Sequence, residues 1–518
     1  MLRLAALGYA DTAFTGLRPW TRLNVSNILA ESVDRMEDAA RGGAGDDEAA
    51  ALYRDLAAEV GPDVQTSATD GHYAHIDRVY TRSIQITDMP LRDSFHAGCS
   101  IVNDYGRPYA SGWNDVTGMA ASAVGGRVSL YFRGEYQHAP QGEGYSLTLS
   151  QSLSSNDGIS PFIPRQATIP SGPVLGTNAF RILEADASIH VWGHEVSLGK
   201  SDEWLGPAEG GSFAYSDNAE DIYSFRINRT DPLRIPLLSR VTGPFRYDFL
   251  VGALQGHTSP RDPWVHVEKI NFKPTPNLEL GFERTVIWGG RGHAPVTLHS
   301  FLRSFFSISS PSEAIKLSRN DPGARFGSFD FSYRLPYLRN WLTLYADSEA
   351  HDDISPASAP RRAAYRPGLY LSHLPGMAKL DLRVEAVSTD PSTRRSTGGD
   401  FNYWESQQRQ GYTNKGQIFG DWIGREGKGG QAWLTYHLSP REWLQVAYRN
   451  AKVSADFVSL GTTQNDYTVQ LVKRLGYDVE LNAWVQIEGW KAPLVKAGLQ
   501  RDVSASAQVT WYLPKVWR

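Results

Sequence analysis

From Arg325 to Leu335 the chain alternates: Phe329, Phe331, Tyr333 and Leu335 fall on one side, Ser328, Asp330, Ser332 and Arg334 on the other. A short turn holding Pro336 follows, and then Leu342, Leu344 and Ala346 alternate with Thr343, Tyr345 and Asp347. A period of two predicts β-strand, and two such runs across a tight turn predict an antiparallel hairpin. One face is aromatic and aliphatic and the other is charged. The same bias recurs along the chain. Val128, Leu130, Phe132 and Tyr136 oppose Arg127, Ser129, Arg133, Glu135 and Gln137. Leu278, Leu280 and Phe282 oppose Glu279 and Glu283; Leu380, Leu382, Val384 and Ala386 oppose Lys379, Asp381, Arg383 and Glu385. Further runs lie at 245–253 and 477–488. A soluble sandwich also alternates, but its polar face seldom carries this density of charge. A barrel in lipid turns its apolar face outward and its polar face inward. Roughly 16 to 18 strand candidates suit a large closed sheet. The expected fold is therefore all-β, a large antiparallel outer-membrane barrel over residues 66–518 with plug or loop segments.

Residues 1–65 follow a different period and predict a small helical module. Leu2 to Leu7 read as helix, and Thr21 is placed to cap a run carrying Val25, Ile28, Leu29, Val33 and Met36 at helical spacing. After the glycine-rich break at 42–45, Asp46 caps a second helix with Leu52, Leu56 and Val60, expected to stop at Gly61 and Pro62. So thin a core predicts docking on something larger. Leu298 to Phe306 reads as a short helix. The long polar and aromatic stretch 400–424 predicts an outer loop or lumen plug, and the Ser-, Pro- and Gly-rich stretch 154–178 predicts a loop. Residues 503–513 alternate again and predict the closing strand, although the chain ends on Arg518 after Trp517.

Composition narrows the class. Hydrophobic residues make up 41% of the 518, and the mean hydropathy is -0.38. No run of about 18 apolar residues predicts a membrane-crossing helix, while barrels look polar by this measure because half of each strand faces the lumen. The 15 Trp and 24 Tyr suit membrane interfaces or sugar stacking. The lone cysteine, Cys99, reads as a buried structural residue. A net charge of -4 gives no sign of nucleic-acid binding. An exported barrel needs a signal peptide; residues 1–9 are too short an apolar run, so the signal is expected to have been removed or to precede an internal start.

No HExxH, GxSxG or phosphate-binding loop occurs, the 13 His are scattered, and no carboxylate pair stands out. Catalysis, metal and cofactor are therefore not expected. The chemistry-bearing stretches hold Trp, Arg and amides beside glycine turns. They are NDYGRPY with Arg107, EWLGPAEGGSFAYSDNA with Trp204 and Asn218, ERTVIWGGRGHAP with Trp288, Arg291 and His293, and GDWIGREGKGG with Trp422 and Arg425. An indole stacks on the C–H face of a sugar, amides take its hydroxyls, and a guanidinium takes a uronate. The competing reading makes them barrel turns with interfacial Trp and glycines for tight backbone.

At these residues the chain resembles the Wzi family of capsule-assembly proteins over most of its length. GLRPWTR, NDYGRPY, EYQHAP, the WLGP and SDNA segments, IWGG and GDWIG carry the resemblance. It implies an outer-membrane barrel of about 18 strands with a periplasmic helical bundle. It also implies a lectin-like role in holding capsular or extracellular polysaccharide at the cell surface, without enzymatic activity. The expected partners are that polysaccharide, outer-membrane lipid and the barrel-insertion machinery, with no nucleic acid. The eight candidate residues rest on chemistry alone. Two other readings remain: an outer-membrane porin whose amino-terminal module resembles an S-layer-homology anchor for the cell wall, and a secreted glycan-active enzyme.

Overall fold

The computed structural model describes residues 1–43, 46–68, 72–160, 171–307, 311–352, 356–358, 360–391 and 402–513. Eighteen antiparallel strands form one closed sheet. Each pairs with the next in the chain, and the first, His72–Ile86, pairs with both the second, Gly112–Gly125, and the last, Lys496–Tyr512. The register of the seam runs from Arg78 opposite Tyr512 to Ile86 opposite Ser504. The alternation read from the sequence resolves inside out. On Leu278–Trp288, Phe282 is 44% exposed to the surroundings and its neighbour Glu283 is 4% exposed. In the hairpin Ala324–Arg334 and Leu342–His351, Ser328, Asp330 and Arg334 are buried and Phe329, Phe331 and Tyr333 are half-exposed. Charges turned inward find counter-charges: Lys269 lies 2.5 Å from Asp330, Arg366 2.8 Å from Glu385 and Arg449 2.6 Å from Asp466. Unpaired, such groups are costly to bury.

The two ends of the barrel differ. At one, strands are joined by two-residue turns at 126–127, 192–193, 276–277 and 440–441. At the other, long segments leave the wall at 87–111, 140–176, 201–222, 289–323 and 389–426. Several of these fold back into the lumen. Phe95, Phe213, Tyr215, Tyr403, Tyr412, Phe419 and Trp422 build a fully buried core there, with the Tyr412 and Phe419 rings stacked at 4.0 Å. The described part of 400–424 is thus a lumen plug. Residues 154–156 end a helix instead of opening a loop, and 161–170 lie outside the described residues.

The amino-terminal helices are α1 (Leu2–Ala6), α2 (Arg22–Arg41) and α3 (Asp47–Ala68). The Thr21 hydroxyl accepts from Asn24 N at 3.1 Å, and Asp46 Oδ1 accepts from the amides of Glu48 and Ala49 at 3.0 and 3.1 Å. α3 does not stop at Gly61 and Pro62 but runs on to Ala68; an interior proline removes one helical bond without obliging the helix to end. The module has its own small core of Leu4, Leu7, Ile28, Leu29 and Leu52. It docks on the short-turn end through the segment after α1. Glu279 on the wall accepts from the amides of Thr15 and Gly16 at 2.8 and 3.0 Å. Lys273 donates to the carbonyls of Asp11 and Ala13 at 2.7 and 2.6 Å. Asp11 gathers three guanidinium groups, Arg334, Arg339 at 2.6 Å and Arg35 at 2.6 Å. Further helices are α4 (Leu147–Asn156), α5 (Ser239–Thr242), α6 (Leu298–Phe306) and α7 (Glu313–Lys316).

Asp11→Ala leaves the buried Arg334 without its carboxylate and is expected to cost about 3 kcal/mol, with partly exposed Arg35 and Arg339 contributing the smaller share. The check is the temperature at which the detergent-solubilised protein changes gel mobility on heating. It should fall; an unchanged temperature means that Asp11 does not hold the segment.

Candidate functional site

After the first strand, residues 87–111 dip into the mouth of the barrel at the long-loop end. Arg92–Asp93 pairs with Gly98–Cys99 in a two-stranded ribbon. At its tip His96 lies between two carboxylates, Nδ1 donating to Asp93 at 3.0 Å and Nε2 to Asp157 at 3.1 Å. Arg425 donates to Asp157 at 2.6 Å, and its guanidinium lies 4.5 Å from the ring centres of both Phe95 and Phe457. This cluster ties the ribbon to the end of α4 and to the plug. Burial works against the His96 cation, but Asp157 and Asp93 overcome it and lift the imidazole from 6.5 to about 9.

The NDYGRPY turn follows. Asn103, Tyr105 and Gly106 all take positive φ, 52°, 56° and 56°, and only Gly adopts that freely. The tight turn aims its polar side chains at the wall. Arg82 meets Asp104 at 2.9 Å. Arg107 donates to Glu135 through Nη2 at 2.6 Å and Nε at 2.9 Å, and pairs also with Asp104. Asn218, in the 201–222 segment, donates to the carbonyl of Ile418 at 2.9 Å.

Between these segments lies a cleft of about 270 Å³. Its lining includes Arg92, Arg107, Tyr109, Tyr145, Asn218 and Lys415. Two of its cations are neutralised: Arg107 as above, and Lys415 by both oxygens of Glu220 at 2.8 Å. Arg92 differs. Nη2 donates to the carbonyl of Glu143 at 2.9 Å, and among the described residues no carboxylate pairs with it. Aromatic walls, amide donors and a cation without a counter-ion suit a polyhydroxylated anion. Among the described residues no group of three or more His, Cys, Asp and Glu is arranged to hold a metal ion.

Of the eight residues singled out in the sequence, Arg107 and Asn218 meet in this cleft; the rest do not. Trp422 is fully buried, donates to Gly210 O at 2.6 Å, and lies between Arg366 and Arg449 at 5.5 and 4.9 Å. Arg425 belongs to the His96 cluster. Trp204 carries Arg18 at 5.0 Å on its ring and donates to Ala208 O at 3.0 Å. Trp288 points out of the barrel wall, covered by α6. Arg291 is exposed at the long-loop end beside Asp262 at 3.0 Å, and His293 pairs with Asp321 at 2.8 Å. Neither Trp288 nor Trp422 offers a ring face to a sugar in this structure. Sequence reasoning missed Arg92, Tyr145 and Lys415. Lys415 lies in the flagged 400–424 stretch, Tyr109 ends the flagged NDYGRPY turn, and nothing local marks Arg92.

Because the folded value of His96 lies above its ordinary one, its contribution to stability is complete below pH 6.5 and is lost as pH rises through about 9. Thermal stability should therefore fall between pH 6.5 and 9.5, and His96→Gln should flatten that fall. Parallel profiles for the two proteins would contradict the assignment.

The model of the capsule assembly protein Wzi family matches residues 82–505. An uncharacterised 55.8 kDa protein from the cps region of Klebsiella pneumoniae is 24% identical over 233 residues, which span 44% of this chain and 45% of that one. The match thus covers less than half of this relative's length. The fold resembles that of Wzi from Escherichia coli, an outer membrane protein involved in group 1 capsule assembly and described as a carbohydrate-binding β-barrel. The TM-score is 0.69 at 17% identity, over 99% of this chain and 98% of that one; at that identity the likeness is one of fold. OccK5 (OpdH) of Pseudomonas aeruginosa gives a TM-score of 0.42 at 10% identity over 86% of this chain and 98% of that one, too slight to carry an argument.

Proposed function

The chain belongs to the Wzi family of capsule assembly proteins, and from that premise we propose that it is an outer-membrane barrel that holds an acidic surface polysaccharide in the cleft at its long-loop end. Outer-membrane barrels place short turns in the periplasm and long loops outside. That polarity supports a periplasmic position for the helical module and an outward-facing cleft. The observation that carries the reading is Arg92, a half-buried cation without a carboxylate partner among the described residues, in a lining that also holds Tyr109 and Tyr145. A uronate would supply the missing anion, the tyrosine faces would take the apolar side of the ring, and the amides of Asn218 and Gln417 lie within the same lining. Arg107 is a positioning residue, because Glu135 and Asp104 already hold its donors. The porin reading gains no support: the lumen is packed by Phe213, Tyr403, Tyr412 and Trp422 rather than open. Nothing in the arrangement favours catalysis.

A charge-assisted bidentate contact is worth roughly 1.5–3 kcal/mol, on the order of 10- to 100-fold in affinity. Arg92→Ala, expressed in a strain lacking its own copy, should reach the outer membrane as a heat-shifting barrel yet release acidic polysaccharide into the medium. Wild-type retention by both Arg92→Ala and the Arg92→Ala/Lys415→Ala double variant would reject the site.

A further inference from the structure

Helix α6 is packed the wrong way round for water. Its small polar residues Ser300 and Ser304 are buried, whereas Leu298, Leu302 and Phe306 are 73%, 43% and 70% exposed. These three recur at i, i+4 and i+8 and form one stripe. A helix on a protein in water buries such a stripe. A capping box closes its start, with the Thr297 hydroxyl accepting from Ser300 N at 3.1 Å and Ser300 Oγ accepting from Thr297 N at 2.9 Å.

Beneath α6 lies the outer surface of the barrel wall. On Leu278–Trp288, Glu283 and Thr285 face the lumen, so Arg284 and Trp288 face outward. Arg284 donates to the carbonyls of Phe305, Ser304 and Ser307 at 2.6, 2.8 and 2.6 Å, satisfying the end of the helix. His266, also outward, meets Ser304 Oγ at 2.8 Å. Phe301 and Phe305 pack on Phe249 with ring centres 6.3 and 6.2 Å apart. The helix therefore lies against a polar patch of the outer wall made by Arg284, His266 and the Glu268 carboxylate that His266 meets, groups that would be costly in hydrocarbon.

It lies below the rim of the wall. Arg284 sits opposite Glu268 in the strand register, four residues from Trp264 at the rim end of Trp264–Thr275, a distance on the order of 13 Å along the strand. Farther down the same wall Ile270 and Phe282 are 49% and 44% exposed, so the helical stripe continues the apolar outer surface. Arg303 beside it donates to Asn320 and to His299, and no carboxylate pairs with it among the described residues.

We propose that α6 lies in the outer leaflet of the membrane, with Leu298, Leu302 and Phe306 among the lipid acyl chains and Arg303 at the level of the phosphate-bearing headgroups. The loop is then part of the lipid-contacting surface instead of the extracellular one, and it sets an apolar exterior over the polar wall patch of His266, Glu268 and Arg284. This inference rests on the membrane location proposed above.

Single-cysteine variants separate the two. Cys99, the chain's one cysteine, is buried, so a spin label reports Leu302→Cys or Phe306→Cys. Val446→Cys on the far wall serves as the lipid reference and Tyr477→Cys in a short-turn connection as the water reference. Each variant is reconstituted in phospholipid vesicles, and its heat-dependent gel shift confirms folding. The readout is collision with oxygen, which concentrates in lipid, against collision with a water-soluble nickel chelate. Labels at 302 and 306 should give the oxygen-to-nickel ratio of 446, well above that of 477. A ratio at 302 and 306 equal to that of 477, with 446 still oxygen-rich, overturns the proposal and leaves the membrane location standing. A nickel-rich 446 overturns both.

Discussion

Pairing of the first strand with the last is the constraint on which the rest of the molecule depends. A sheet in lipid has no water to satisfy an open edge, so it must close. Closure between His72–Ile86 and Lys496–Tyr512 fixes which face of every strand looks outward, since successive residues take opposite faces. An apolar exterior then forces the polar half of each strand into the lumen, and that lumen must be made electrically tolerable.

The chain meets this requirement in two ways. Some charges pair within the wall, as Lys269 does with Asp330. Others hold the inserted segments in place: wall carboxylates accept backbone amides from the plug and the amino-terminal segment. Glu279 takes Thr15 and Gly16, Glu385 takes Glu209 and Gly210 at 2.8 and 3.0 Å, Asp347 takes Phe213 at 2.9 Å, and Asp502 takes Thr87 and Asp88 at 3.0 and 2.9 Å. One set of bonds satisfies a buried carboxylate and an otherwise orphaned loop backbone together. Polar filling of the lumen and the build of the proposed cleft are thus one problem with one solution. Arg92, at the mouth without a carboxylate among the described residues, is the cleft cation on which the proposed ligand preference rests.

The barrel was legible in the sequence because its signal is local. In the 324–351 hairpin the face carrying Phe329 and Phe331 must differ from the face carrying Asp330, whatever the rest of the chain does. The caps Thr21 and Asp46 were legible for the same reason. The proposed site was not, because its defining properties are tertiary. A Trp beside glycines at a strand end reads alike whether its loop folds into the lumen, as at Trp422, or its ring turns to the outer wall, as at Trp288. Among the cations of the cleft, Arg92 stands out only by lacking a carboxylate partner among the described residues, which no spacing encodes. The end of α3 was misplaced because a Gly–Pro pair weakens a helix locally, while the backbone continues through it to Ala68.

The most direct measurement is calorimetric titration of the purified wild-type barrel in detergent with oligosaccharides cut from the acidic surface polysaccharide of its own cell, native and carboxyl-reduced. The expected result is saturable binding of the native sugar, weakened roughly tenfold or more when its carboxylates are reduced to alcohols, since a charged contact becomes a neutral one. Equal affinity for both forms, or binding of neither, would contradict a cleft built around an uncompensated cation.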